Sequence, residues 1–135
     1  GADVNGRVDN QNTALTESIE LNQYDTAIIL VDHGACVNIV DTGGWTPILD
    51  AATRGNIELC KLLIERGAFI NKKNDEGNTA LMLAVQEGHE EVVNLIIKSG
   101  ADMNIKNKKG QRARQIAINY KRSNIKDLLV EHGAI

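Results

Sequence analysis

Three histidines, two cysteines and a spread of carboxylates are the residues of this chain able to bind metals or do acid–base work. Their spacing does not assemble them. His33 and His132 each stand just before a Gly-Ala pair, and His89 follows Gly88. None has a cysteine or acid at ligand spacing, so neither a metal centre nor a nucleophile–base pair is written here. Cys36 and Cys60 also lack metal-ligand spacing, and reduced thiols are expected, with a disulfide between them as the alternative. The stretch "TGGW" at Thr42–Trp45 is too short for a phosphate loop, and no G-x-x-x-x-G-K-[ST] occurs. The chain is therefore expected to be no enzyme, with no catalytic site, metal or cofactor. What is left is recognition chemistry: acids at Glu17, Glu20 and Asp50, a lone Trp45, and a basic run from Lys106 to Lys126.

These residues are ordered by a period. "GADVN" opens the chain, "GACVN", "GAFIN" and "GADMN" follow, and "GAI" closes it. Their glycines stand at 1, 34, 67, 100 and 133, a constant step of 33. Such a period marks a repeat architecture, in which each unit buries its apolar side against its neighbours. Aromatic residues make up only 3% of the chain, so the core must come from Leu, Ile, Val and Ala, which suits thin helical layers. No apolar run approaches the roughly 18 residues of a membrane span. No basic, apolar N-terminal segment in this sequence reads as a signal peptide either. Reduced thiols fit a cytoplasmic or nuclear setting.

One unit shows the local logic: "DTGGWTPILDAATRGNIELCKLLIERGAFINKK", Asp41–Lys73. Thr46 and Pro47 read as a helix start, the threonine as cap and the proline at the first helical position. Ile48, Ala51 and Ala52 share one face. Gly55 suits the left-handed residue that ends the helix. A second helix is expected over about Ile57–Arg66, and Gly67 closes it. The chain then runs out and back as a finger turning near Gly77. In steps of 33 the cap reads Thr13, Thr46, Thr79, Arg112, and the helix end reads Asn22, Gly55, Gly88, Lys121. Leu62, Leu63, Leu95 and Ile96 are expected between the helix layers.

The pattern G-x-T-P-L-H, small residues, glycine, apolar helix and G-A-D-V-N resembles the ankyrin repeat family. The resemblance spans the whole chain: a tail at 1–5, then repeats at about 6–40, 41–73, 74–106 and 107–135. It implies an all-α solenoid of stacked helix–turn–helix units with β-hairpin-like fingers. Repeat one departs from it with Gln11 for the finger glycine and Ser18 for alanine. Repeat four departs with Arg112, Arg114 and Lys121, polar changes suited to an end repeat. The opening on a repeat's tail leads us to expect a fragment of a longer intracellular protein.

The resemblance also implies a concave face, made of the finger tips and the outward side of each first helix, that takes a protein or peptide partner. Here the finger positions vary while the core repeats. The expected partner-binding residues are Val40, Thr42, Trp45, Asp50 and Arg54 around the second finger. Around the third finger they are Lys73, Asp75, Asn78, Leu83 and Glu87, and around the fourth Lys106, Lys108, Gln111 and Tyr120. Trp45 is expected to stand substantially exposed, with Ile39 and Val40 extending its apolar patch. Charge runs along the array. Residues 1–60 hold nine acids against two arginines, and residues 106–135 hold eight bases against two acids, giving −7 and +6. The alternative function is binding of nucleic acid or another polyanion through the basic last repeat, although Tyr120 is its only interleaved aromatic. No membrane contact is expected, and the chain should be a monomer or a weak dimer through its first repeat.

Overall fold

The computed structural model describes residues 13–135. The tail at 1–5 and the first-finger positions Arg7, Asp9, Asn10 and Asn12 lie outside the described residues. Four helix pairs follow in order: α1 (Ala14–Glu20) with α2 (Tyr24–Asp32), α3 (Pro47–Arg54) with α4 (Ile57–Glu65), α5 (Ala80–Glu87) with α6 (Glu90–Lys98), and α7 (Ala113–Asn119) with α8 (Ser123–Glu131). The first helices pack in series, α1 on α3, α3 on α5 and α5 on α7, and the second helices form a parallel layer in the same order. The result is an all-α solenoid with no strand among the described residues.

Each pair breaks where its sequence supplies a left-handed residue. Asn22, Gly55, Gly88 and Lys121 have φ of 59°, 75°, 78° and 59°. For lysine this conformation carries the usual steric cost of a Cβ. Thr13 and Thr79 cap their helices with side-chain oxygens. Thr46 does not, and its buried hydroxyl has no hydrogen-bond partner. Pro47 at the start of α3 fixes that helix's entry in its place. Arg112, at the fourth cap position, instead sends Nε to the carbonyl of Asn104, 3.2 Å away. Ser18, in an alanine column, is satisfied by donating to the Leu15 carbonyl at 2.8 Å.

The core is aliphatic and continuous. Leu63 and Ile96 are fully buried as expected, whereas Leu62 and Leu95 are only partly buried at its margin. The second helices have one uncovered side, and these two leucines sit toward it. Consecutive repeats are also stitched by polar side chains. Among the described residues, the asparagines that close three Gly-Ala signatures each accept a backbone N–H from the loop closing the next repeat: Asn38 from Phe69 at 2.8 Å, Asn71 from Asp102 at 2.9 Å, Asn104 from Ile135 at 3.0 Å. Asn38 also donates to the Gly67 carbonyl at 3.0 Å.

Candidate finger-side recognition face

Each finger is a tight turn closed by its own backbone. Asp41 N–H donates to Trp45 O at 2.7 Å, Asn74 to Asn78 at 3.0 Å, and Asn107 to Gln111 at 2.9 Å. Adjacent fingers are tied by one further bond each, Asp75 N–H to Gly43 O at 2.9 Å and Lys108 N–H to Glu76 O at 3.1 Å. That close approach is what demands glycine. At Gly77, with φ of +80°, a Cβ would lie 2.8 Å from the Lys108 nitrogen. In the last two fingers an asparagine organises the turn. Asn74 Oδ1 accepts from the N–H groups of Glu76 and Asn78, and Asn107 Oδ1 from those of Lys109 and Gln111. Asn107 then donates sideways to Asn78 Oδ1 at 3.0 Å and Gln111 Oε1 at 3.1 Å. The fingers of repeats three and four form one hydrogen-bonded body.

Between them and the first helices lies a groove of about 450 Å³. Asp75, Asn78, Lys108, Gln111 and Tyr120 of the expected set line it. Glu76, Gln86, Asn107 and Lys109 complete the lining. Glu76 and Lys109 stand at varying finger positions and Gln86 on the outward side of a first helix, so the repeat columns already place them on this face; Asn107 is the one they do not flag, although it sits in step with Asn74. Asn78 differs from expectation: it is 8% exposed and held in the amide chain, so it shapes the groove wall and offers little free surface. Tyr120 is half exposed at 49%.

The remaining expected residues divide between core, supports and a separate acidic surface. Leu83 is 5% exposed and Ile116, in step with it, 2%; both belong to the core. Leu83 therefore offers little free surface to a partner, its side chain turning into the core as Ile116 does one repeat later. Lys73 reaches the Lys106 carbonyl at 3.3 Å and braces the finger stalk, while Lys106 and Glu87 stay exposed. On repeat two, Thr42 is exposed and its N–H donates to the Asp41 carboxylate. Val40 is 42% exposed, as an extension of an apolar patch requires. Trp45 is not: it is partly buried, rests on the core, and folds Cδ1 over Gly43. Arg54 donates to Asn22 Oδ1 at 2.9 Å and so ties repeat two to repeat one.

Asp50 lies beneath this surface. Burial pushes its carboxyl up to about 7; Arg54 opposes the shift, and Glu20 and Asp41 add to it. Glu20 is raised too, first by burial and then by the Asp41 charge and a hydrogen bond between the two carboxyls. Burial first, with crowded negative charge adding to it, accounts for both shifts.

The histidines do structural work. His33 and His132 turn Nδ1 to the carbonyls of Ile29 and Leu128, at 2.8 and 2.9 Å, at the ends of their own helices. His89 spans a junction, its Nε2 donating to Thr53 O at 3.0 Å with the ring against Gly55. Arg122 does the same one repeat later, Nη2 to Gln86 O at 2.9 Å. These two side chains line a larger cleft of about 530 Å³ at the turns between paired helices, where both are already committed to carbonyls. Cys36 is exposed and Cys60 buried, with no disulfide between them. Burial raises the Cys60 thiol to about 12. Among the described residues no His, Cys, Asp or Glu group is arranged to hold a metal, and no helix is long and apolar enough to cross a membrane.

A family model described as ankyrin repeats (3 copies) matches residues 37–107 and again residues 70–135. The chain belongs to the ankyrin-repeat family. No curated protein matches it. Ankyrin repeats are in general protein–protein interaction modules, which directs attention to the finger side of this ankyrin array rather than to its structural histidines.

Proposed function

We propose that this ankyrin-repeat chain is a non-enzymatic module that takes a protein or peptide partner on the finger-side face of repeats three and four, inside the cell. One observation carries the reading. Five residues expected from their non-repeating character line a single groove, and the charged ones among them serve no core packing. Capture from a cell lysate with the wild type and with a Lys108→Glu/Tyr120→Ala variant tests it. A partner kept by the wild type and lost from an equally stable variant supports the groove. A partner held equally by both places recognition elsewhere.

Polyanion binding through repeat four is the second reading, and the exposed Lys106, Lys108, Lys109, Arg114 and Lys121 favour it. Arg112 and Arg122 do not add to it, since each is bonded to a backbone carbonyl. Retention on heparin that disappears at modest salt would reduce this reading to generic charge.

A further inference from the structure

The charge of the finger side reverses inside the groove. Its third-finger wall carries Asp75 and Glu76, its fourth-finger wall Lys108 and Lys109, and Lys108 N–H to Glu76 O joins the walls at 3.1 Å. Despite that proximity, none of the four enters an ion pair among the described residues; the ion pairs found there are Arg66–Asp32 and Lys126–Asp127. The facing walls are opposite in sign but form no contact ion pair, so each remains open to a ligand group of the opposite charge. The amides between the walls are held in the Asn78–Asn107–Gln111 chain, so the walls keep their places whether or not a ligand is bound. Tyr120 offers a half-exposed ring beside them, and its hydroxyl makes no hydrogen bond within the described residues.

Resting on the groove reading above, we propose that the partner segment is an extended peptide bearing both signs: a Lys or Arg against Asp75 and Glu76, and within a few residues an Asp or Glu against Lys108 and Lys109, with Tyr120 covering the chain between. Nucleic acid fits this groove poorly. A phosphate backbone drawn to Lys108 and Lys109 would have to run beside Asp75 and Glu76.

The test is selection from a phage-displayed library of random short peptides, using the purified chain, followed by charge exchange. Selected peptides should carry a basic and an acidic residue a few positions apart. Lys108→Asp/Lys109→Asp should weaken such a peptide about fivefold or more, the scale of an exposed charge coupling. Exchanging the peptide's own acid for lysine should restore it. Asp75→Lys/Glu76→Lys should do the same through the peptide's base. All four positions lie on exposed finger tips, so circular dichroism should not change. Peptides lost with Tyr120→Ala but carrying one sign, or not rescued by exchange, overturn the two-sign proposal and leave the groove reading intact. Peptides indifferent to every finger-side substitution, or none recovered, overturn both.

Discussion

Repeats three and four are written in the same register yet differ in what surrounds them. In α5 every residue from Ala80 to Val85 is buried, whereas in α7 only Ala113, Ile116 and Ala117 are. Leu81 is 1% exposed, and its counterpart is the exposed Arg114. Val85 is fully buried, while Ile118, in step with it on α7, is 47% exposed. A second set of columns shows no such contrast: Ile96 and Leu129 are both fully buried. The contrast separates two kinds of core. One lies between the two helices of a unit and is complete within each repeat. The other lies between units and exists only where a neighbour stands.

The largest effect should come from exchanging the between-unit residues. Leu81→Arg sets an unpaired charge among buried aliphatics and should cost about 4 kcal/mol or more, enough to unfold a typical domain's margin. Arg114→Leu should move stability by no more than about 0.5 kcal/mol in urea melts. Next, Ile96→Ala and Leu129→Ala should each cost about 2–5 kcal/mol. If Leu129→Ala cost far less than Ile96→Ala, the within-unit core of the last repeat would be looser than its burial implies.

The finger glycines extend the contrast. Gly77→Ala meets both a positive φ and the Lys108 backbone, while Gly110, φ +76°, has nothing within 4 Å of an added Cβ. Thermal melts should show a loss of about 2–3 kcal/mol for the first and about 1 kcal/mol for the second. Asp50 probes the same issue through pH, since its column becomes Leu83 and Ile116 in repeats three and four. Its folded carboxyl is raised to about 7 from an ordinary 3.8. The native state therefore keeps a proton that the unfolded chain has lost, and this contribution fades as pH rises through about 7. Asp50→Asn should raise stability by about 1–2 kcal/mol at pH 8, and the gain should shrink toward pH 5. A modest gain is expected from Lys121→Gly, which restores the residue of repeats two and three at φ 59° and should add about 0.5–1 kcal/mol.

Much of the fold was legible because its signals are local and recur. The left-handed residue at each helix end, the threonine caps of repeats one and three and the finger turns depend on neighbours in sequence. What escaped depends on neighbours in space. Leu83 reads as an outward position, yet it and Ile116 in step with it both turn into the core. Trp45 reads as exposed until its ring finds Gly43. His89 and Arg122 act on carbonyls 36 residues back, a distance no local pattern reports. The groove was legible only in its members. The columns identified Asp75, Lys108 and Tyr120 as non-repeating, but the convergence of two fingers set them around one space.

The closing asparagines have a consequence for how such a chain lengthens. Asn38, Asn71 and Asn104 each serve an amide 31 residues ahead, so every bond begins in one unit and ends in the next. A gene duplication copying a 33-residue window either carries one of these bonds whole or, where it cuts across one, re-forms it at the new join with an equivalent partner. The inherited module thus has no privileged edge. A copy one residue longer or shorter would set the wrong residue opposite an asparagine whose bond crosses the join, so the length of the unit matters there as well as its composition.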